Sequence, residues 1–219
     1  MTPAERVAFI RANTELLPVP LTPEIRLHLA HEAVPIWQKS EDELGEVGLP
    51  PPFWAFAWAG GQALARHVLD HPELVHGKRV IDLASGSGLV AIAAMKAGAK
   101  SVLAADIDAF ATEAIVINAA LNGVEVAATS ADLLALQAPE CDVILVGDLF
   151  YEQYLAEKCL IWLSTARQAG IEALIGDPGR SYLPKDKLTR IADYAVPVTR
   201  DLEDAEIKKT SVWRLSPNC

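Results

Sequence analysis

Three groups of residues in this chain have types and spacing that could do chemistry. The first is Asp82-x-Ala84-x-Gly86-Ser87-Gly88, a carboxylate followed by small residues that let backbone come close to a ligand. The second is Asp106, in Ala105-Asp106-Ile107-Asp108, a carboxylate able to accept both hydroxyls of a ribose. Asp108 instead precedes a helical stretch and reads as its cap. The third is Gly147-Asp148-Leu149-Phe150-Tyr151, an acid and a phenol just after the apolar run Val143–Val146. The carboxyl end of a strand is where an open α/β sheet places its reacting atoms.

Two ligands compete for the glycine loop. Gly86-x-Gly88-x-x-Ala91, with Asp106 twenty residues after Gly86, fits a dinucleotide fingerprint. Against it, Asp82 lies inside the preceding strand, and an anion there does nothing for a pyrophosphate. It would suit a nucleoside with a cationic amino-acid tail.

The elements that must position these residues follow from periodicity. Strands are expected at 80–84, 101–106, 125–129, 142–147 and 172–176. Helices are expected from 89 to about 97 and at 60–69, 109–122, 153–169 and 185–194. Residues 196–202 and 208–215 read as an antiparallel pair. Strands alternating with helices imply a parallel sheet covered on both faces. Residues 1–52 read as a helical extension before a domain at 53–219. Thr2-Pro3-Ala4-Glu5 and Thr22-Pro23-Glu24 are capped starts, with Val7, Ile10 and Leu17, then Ile25, Leu29, Ile36 and Trp37, as stripes, and Pro35 kinking or ending the second. This extension is either a lid or recognition element, or simply packs on the sheet. The run Phe53-Trp54-Ala55-Phe56-Ala57-Trp58 before Gly60-Gly61 is either a wall for a flat or cationic ligand or an aromatic core cluster.

The totals exclude several classes. A net charge of −10 argues against a nucleic-acid backbone as partner and permits a basic protein surface. A 51% apolar share supports a sizeable core. No run is long enough to span a membrane, and no signal-peptide pattern opens the chain. Cys141, Cys159 and Cys219 have no paired spacing, as expected of reduced thiols in the cytoplasm. His67 and His71 at i, i+4, and His28 and His31 at i, i+3 on an expected helix, lack a third ligand, so no metal is expected and they read as solvent-facing or capping.

Asp82-x-Ala84-x-Gly86-x-Gly88 resembles the first motif of the seven-strand S-adenosylmethionine (AdoMet) methyltransferases, with Ala84 in place of a glycine. A closing hairpin after an α/β series also belongs to that fold. Asp148-x-x-Tyr151 resembles the post-strand motif of its protein-lysine branch, methyltransferase family 16. Within that branch Trp58–Leu64, Gly147–Tyr151, Leu174–Arg180 and Thr210–Trp213 are similar to the methyltransferases of the electron transfer flavoprotein β-subunit. The resemblance implies a Rossmann-like, seven-stranded class I sheet. It implies AdoMet across Gly86-Ser87-Gly88, with Asp82 also a cofactor-binding residue, Asp106 on the ribose, Asp132 and Leu133 at the adenine, and Trp58 and Gly147 lining the pocket. It sets Asp148 and Tyr151 against lysines of the flavoprotein β-subunit as catalytic residues. Asp148 would hold the ammonium and align it, unless it merely caps the next helix. A small-amine N-methyltransferase, an AdoMet-binding scaffold and a dehydrogenase are the other readings. An open acidic rim favours a protein lysine and a closed pocket a small amine.

Overall fold

The computed structural model describes residues 1–30, 51–198 and 206–216. The expected helix segment bearing His31, Pro35, Ile36 and Trp37, the strand end at 199–202, and Cys219 lie outside those residues.

A seven-stranded sheet forms the frame. β3 (Arg79–Leu83), β4 (Ser101–Ala105), β5 (Ala127–Thr129), β6 (Val143–Gly147) and β7 (Glu172–Asp177) run parallel. β8 (Leu188–Pro197) and β9 (Ile207–Leu215) form an antiparallel hairpin, with β9 also antiparallel to β7. The order is β5-β4-β3-β6-β7-β9-β8. The strand order reverses beside β3, and a crevice opens there at the carboxyl ends.

The parallel strands are apolar on both faces, as strands covered from both sides must be. Val80, Val102, Val143, Leu145 and Leu174 pack with α2 (Ala59–Asp70) and α3 (Leu89–Lys96). Ile81, Leu83, Ile144, Val146 and Ile175 pack with α5 (Gln153–Gln168), where Cys159 is also buried. Period two therefore sends Asp82 to the α3 face, where it is 1% exposed.

Residues 1–30 differ from the helical expectation. Only α1 (Pro3–Asn13) is helical, started by the Thr2–Glu5 capping box. β1 (Glu15–Val19) and β2 (Thr22–Leu29) form an antiparallel hairpin, so Leu17 and His28 lie on strands. The spacing of Ile25 and Leu29 suits one helical face, but Ile25-x-Leu27-x-Leu29 is also a strict alternation, and all three side chains are buried. Tertiary partners select the strand. Asn118 of α4 (Ala109–Leu121) accepts the His28 amide at 2.8 Å. Asn122, just past that helix, accepts the Arg26 amide at 3.1 Å and donates to the Arg26 carbonyl at 2.7 Å. Ile10 of α1 packs in a cluster with Phe110 and Trp54. These residues share the core of the domain they precede.

The expected helix at 185–194 is a 3-10 turn at Lys185–Lys187 followed by β8, because β9 offers that segment a ladder. His67 is not at the surface either: β8 covers it, and its Nδ1 shares a 3.0 Å hydrogen bond with the Tyr194 hydroxyl.

One close approach sets the geometry of the site. The first turn of α2 lies directly on the carboxyl ends of β6 and β7. A Cβ at Gly60 would collide with the Gly176 carbonyl, and one at Gly176 with the Gly60 carbonyl. A Cβ at Gly147 would stand 3.1 Å from the Gly61 Cα. Gly176→Ala forces backbone apart and is expected to lower folding stability by about 1–3 kcal/mol. The check is the denaturation midpoint, and an unchanged value would refute the approach.

Candidate functional site

A cavity of about 550 Å³ opens at the carboxyl ends of β3, β4 and β6. Trp58, Gly86, Asp106, Asp132, Leu133, Gly147, Asp148 and Tyr151 all line it. Asp82, Ser87 and Gly88, expected with them, do not.

Those three build the loop from behind. Asp82 Oδ2 accepts the Ser85 hydroxyl at 2.5 Å and the Ala91 amide, in the first turn of α3, at 2.9 Å. Burial pushes its carboxyl up to about 7, against the pull of both hydrogen bonds. The Ser87 carbonyl accepts from Asn118 at 2.9 Å. Gly88 has φ +83°, and a Cβ there would stand 3.2 Å from the Ile115 Cα, so glycine lets the loop sit against α4. Ala84 also has positive φ, 53°. The position at which the motif departs from glycine is thus one that glycine adopts without steric penalty.

Asp106 closes the loop from the other side. Its Oδ2 accepts the Gly86 amide at 2.8 Å and its Oδ1 the Asp108 amide at 3.0 Å. Burial raises its carboxyl, and those two bonds lower it again. Asp108 caps α4 through the Phe110 amide at 2.8 Å, as its position implies. Leu83, Ala84, Ala105 and Leu133 give the cavity an apolar wall beside Asp106. Asp132 forms a 2.8 Å ion pair with Lys158. Four acids, Asp106, Asp108, Asp132 and Asp148, face two bases, Lys158 and Arg180, around the cavity. That balance suits a ligand carrying positive charge. A buried carboxylate beside an apolar slot also fits a nucleoside, whose ribose and ring need one each.

The aromatic run divides between core and cavity wall. Trp54 and Phe56 are core, with Trp54 stacked on Phe110 at 6.0 Å. Phe53 and Trp58 meet edge to face at 5.9 Å on the cavity wall, where the Trp58 Nε1 donates to the Phe53 carbonyl at 2.9 Å.

Asp148 does not cap the helix after it. It has φ +55°, which turns it back toward α2. Its Oδ2 accepts the Gly61 amide at 2.9 Å, within the first turn of α2. Its Oδ1 accepts Nη2 of Arg180 at 2.9 Å and Nε at 3.2 Å. Burial pushes the carboxyl up to about 6, with Arg180 opposing and Asp177 adding to the rise. Tyr151, about half exposed, stands beside Phe53, ring centroids 5.8 Å apart. Arg180 is the residue that sequence reasoning left without a role. Its signal was the run Gly176-Asp177-Pro178-Gly179-Arg180, quoted only as a resemblance.

Asp82→Ala would leave the Ala91 amide and Ser85 hydroxyl without their acceptor. A loss of about 1–3 kcal/mol in folding stability is expected, with Asp82→Asn milder. Chemical denaturation of the three proteins checks the order.

The site can now be set beside known proteins. The family model for Ribosomal protein L11 methyltransferase (PrmA) matches residues 63–149. The chain is 37% identical to the electron transfer flavoprotein beta subunit lysine methyltransferase of Rattus norvegicus, over 96% of this chain and 84% of that one. It is 38% identical to the Xenopus laevis protein of the same name, over 96% and 87%. Among solved structures, TrmN from Thermus thermophilus aligns with a TM-score of 0.51 at 20% identity, over 69% of this chain and 48% of that one, a likeness of fold. With that identity over nearly its whole length, and its acids and glycines gathered in one crevice, the chain belongs to the electron transfer flavoprotein β-subunit lysine methyltransferase family of AdoMet-dependent enzymes.

Proposed function

We propose that this protein methylates lysine side chains of an electron transfer flavoprotein β-subunit, using AdoMet bound in the 550 Å³ cavity. The observation that carries the reading is that Asp148 and Tyr151 line the same cavity as Asp106 and Leu133. An acceptor group and a nucleoside would therefore share one space. The names of the relatives support the substrate. The exposed aromatic side chains at this site, Phe53, Tyr151 and Tyr154, suit a protein surface better than a small amine.

Asp106 would take the ribose hydroxyls, and Leu133 with Leu83 the adenine ring. Asp132 reaches an adenine amino group only in competition with Lys158. Asp82 acts through the loop rather than by contact. Bound AdoMet supplies an electrophilic methyl to an amine that has lost its proton. Asp148 would hold and align that amine, with Tyr151 offering a second hydrogen bond. A carboxylate stabilises an ammonium, which opposes deprotonation. Burial offsets part of this, because a carboxyl near 6 is a stronger proton acceptor than an ordinary one. The gap to a free lysine narrows to about four pKa units. The acid form of Asp148 cannot hold the ammonium, so kcat/KM falls as pH drops through about 6.

The first test is the intact mass of the flavoprotein β-subunit after incubation with enzyme and AdoMet. Steps of about 14 Da per methyl are expected. No step, with AdoMet bound, would discard this substrate. Asp148→Asn should abolish the steps while AdoMet affinity survives, and normal transfer by that variant would remove Asp148 from the reaction. A pH series on the wild-type enzyme checks the acid limb near 6.

A further inference from the structure

The cation that Asp148 is proposed to receive has an occupant already. The Arg180 guanidinium donates twice to Asp148 Oδ1, and its central carbon stands 5.7 Å from the centroid of the Trp58 ring. A carboxylate on one side and an aromatic face on the other is how a partly desolvated ammonium is held. The opposite oxygen, Oδ2, is engaged by the Gly61 amide. A second cation at Oδ1 would meet the first at contact distance, with like charges repelling.

A second cavity, of about 270 Å³, is lined by Tyr151, Pro178, Gly179, Arg180, Ser181 and Lys208. Tyr151 and Arg180 line both cavities. The loop bearing Arg180 is held by Asp177 Oδ1, which accepts the Gly179 amide at 2.6 Å and the Arg180 amide at 2.7 Å. The backbone is thus anchored, and Arg180 borders both spaces.

We infer that Arg180 occupies the berth of the acceptor lysine's ammonium, and that an incoming lysine must displace it from Asp148. The inference rests on the lysine methyltransferase reading above. Arg180 is then a positioning residue. It keeps the Asp148 carboxylate paired and aimed while no substrate is bound, and it sets a threshold that only a well-docked lysine overcomes.

Two variants test it in the full-length enzyme. Arg180→Gln removes the competing charge, and is assayed well above pH 6 so that the Asp148 carboxyl stays ionised without it. It should lower KM for the flavoprotein β-subunit by about threefold or more, and tighten binding of that protein to the cofactor-free enzyme by a similar factor. A residue with a merely structural role would move both the other way. Arg180→Lys places an amine in the berth itself. Given AdoMet and no acceptor, this variant should methylate its own introduced side chain, gaining about 14 Da per methyl, while the wild-type enzyme gains nothing. Either the lower KM or the self-methylation supports the assignment. The absence of both, in variants that still bind AdoMet, overturns it. Self-methylation needs no flavoprotein, so a wrong substrate and a wrong role for Arg180 give different results.

Discussion

The site depends on the contact between the start of α2 and the carboxyl ends of β6 and β7. Three chain segments meet there with almost no side chain between them, at Gly60-Gly61, Gly147 and Gly176. This closeness brings the free amides of a helix terminus to the strand ends. Asp148 uses one of them, the Gly61 amide. The Gly61 amide and the guanidinium of Arg180 both oppose the rise that burial gives this carboxyl. The left-handed φ of Asp148 is strain that the surrounding packing sustains, and it falls at a residue that lines the cavity.

The glycine-loop side of the cavity is built differently. Its first-motif carboxylate, Asp82, is an internal brace, joining the strand to the loop and to the first turn of α3. Asp106 has the exposed half of the work: it ties the loop to β4 through Gly86 and still borders the cavity. The same residue type thus serves two ends, separated by the alternation of a strand. Position 82 faces the helix layer, whereas position 106 lies just beyond the last paired residue, Ala105.

The segment before the sheet belongs to the same unit. Asn118 and Asn122 give the outer edge of β2 side-chain partners, as a neighbouring strand would give backbone ones. Asn118 also holds the Ser87 carbonyl from the same helix face. One buried carboxamide therefore links the hairpin to the glycine loop.

Much of this was legible in the sequence, because the signals were local. The five parallel strands are apolar runs between small-residue turns, and α2, α3, α4 and α5 carry helical spacing with clear ends. The loop at Gly86 and the acids Asp106, Asp108 and Asp148 stand at strand ends and helix starts, where their types already imply a use. Other features waited on partners distant in the chain. Ile25 and Leu29 satisfy both periods, and Asn118 and Asn122 decide for a strand. Residues 188–194 become β8 because β9 pairs with them, and His67 is buried because that strand covers it. Asp82 and Asp148 were each singled out by type and place, but hydrogen-bond partners settle which one meets the cavity. Sequence alone determined the fold class, which follows from period and spacing, and carried motifs resembling the family that the relatives show. Tertiary structure decided what each carboxylate touches, and that Arg180 lies on Asp148, because contacts between residues 32 apart have no local signal.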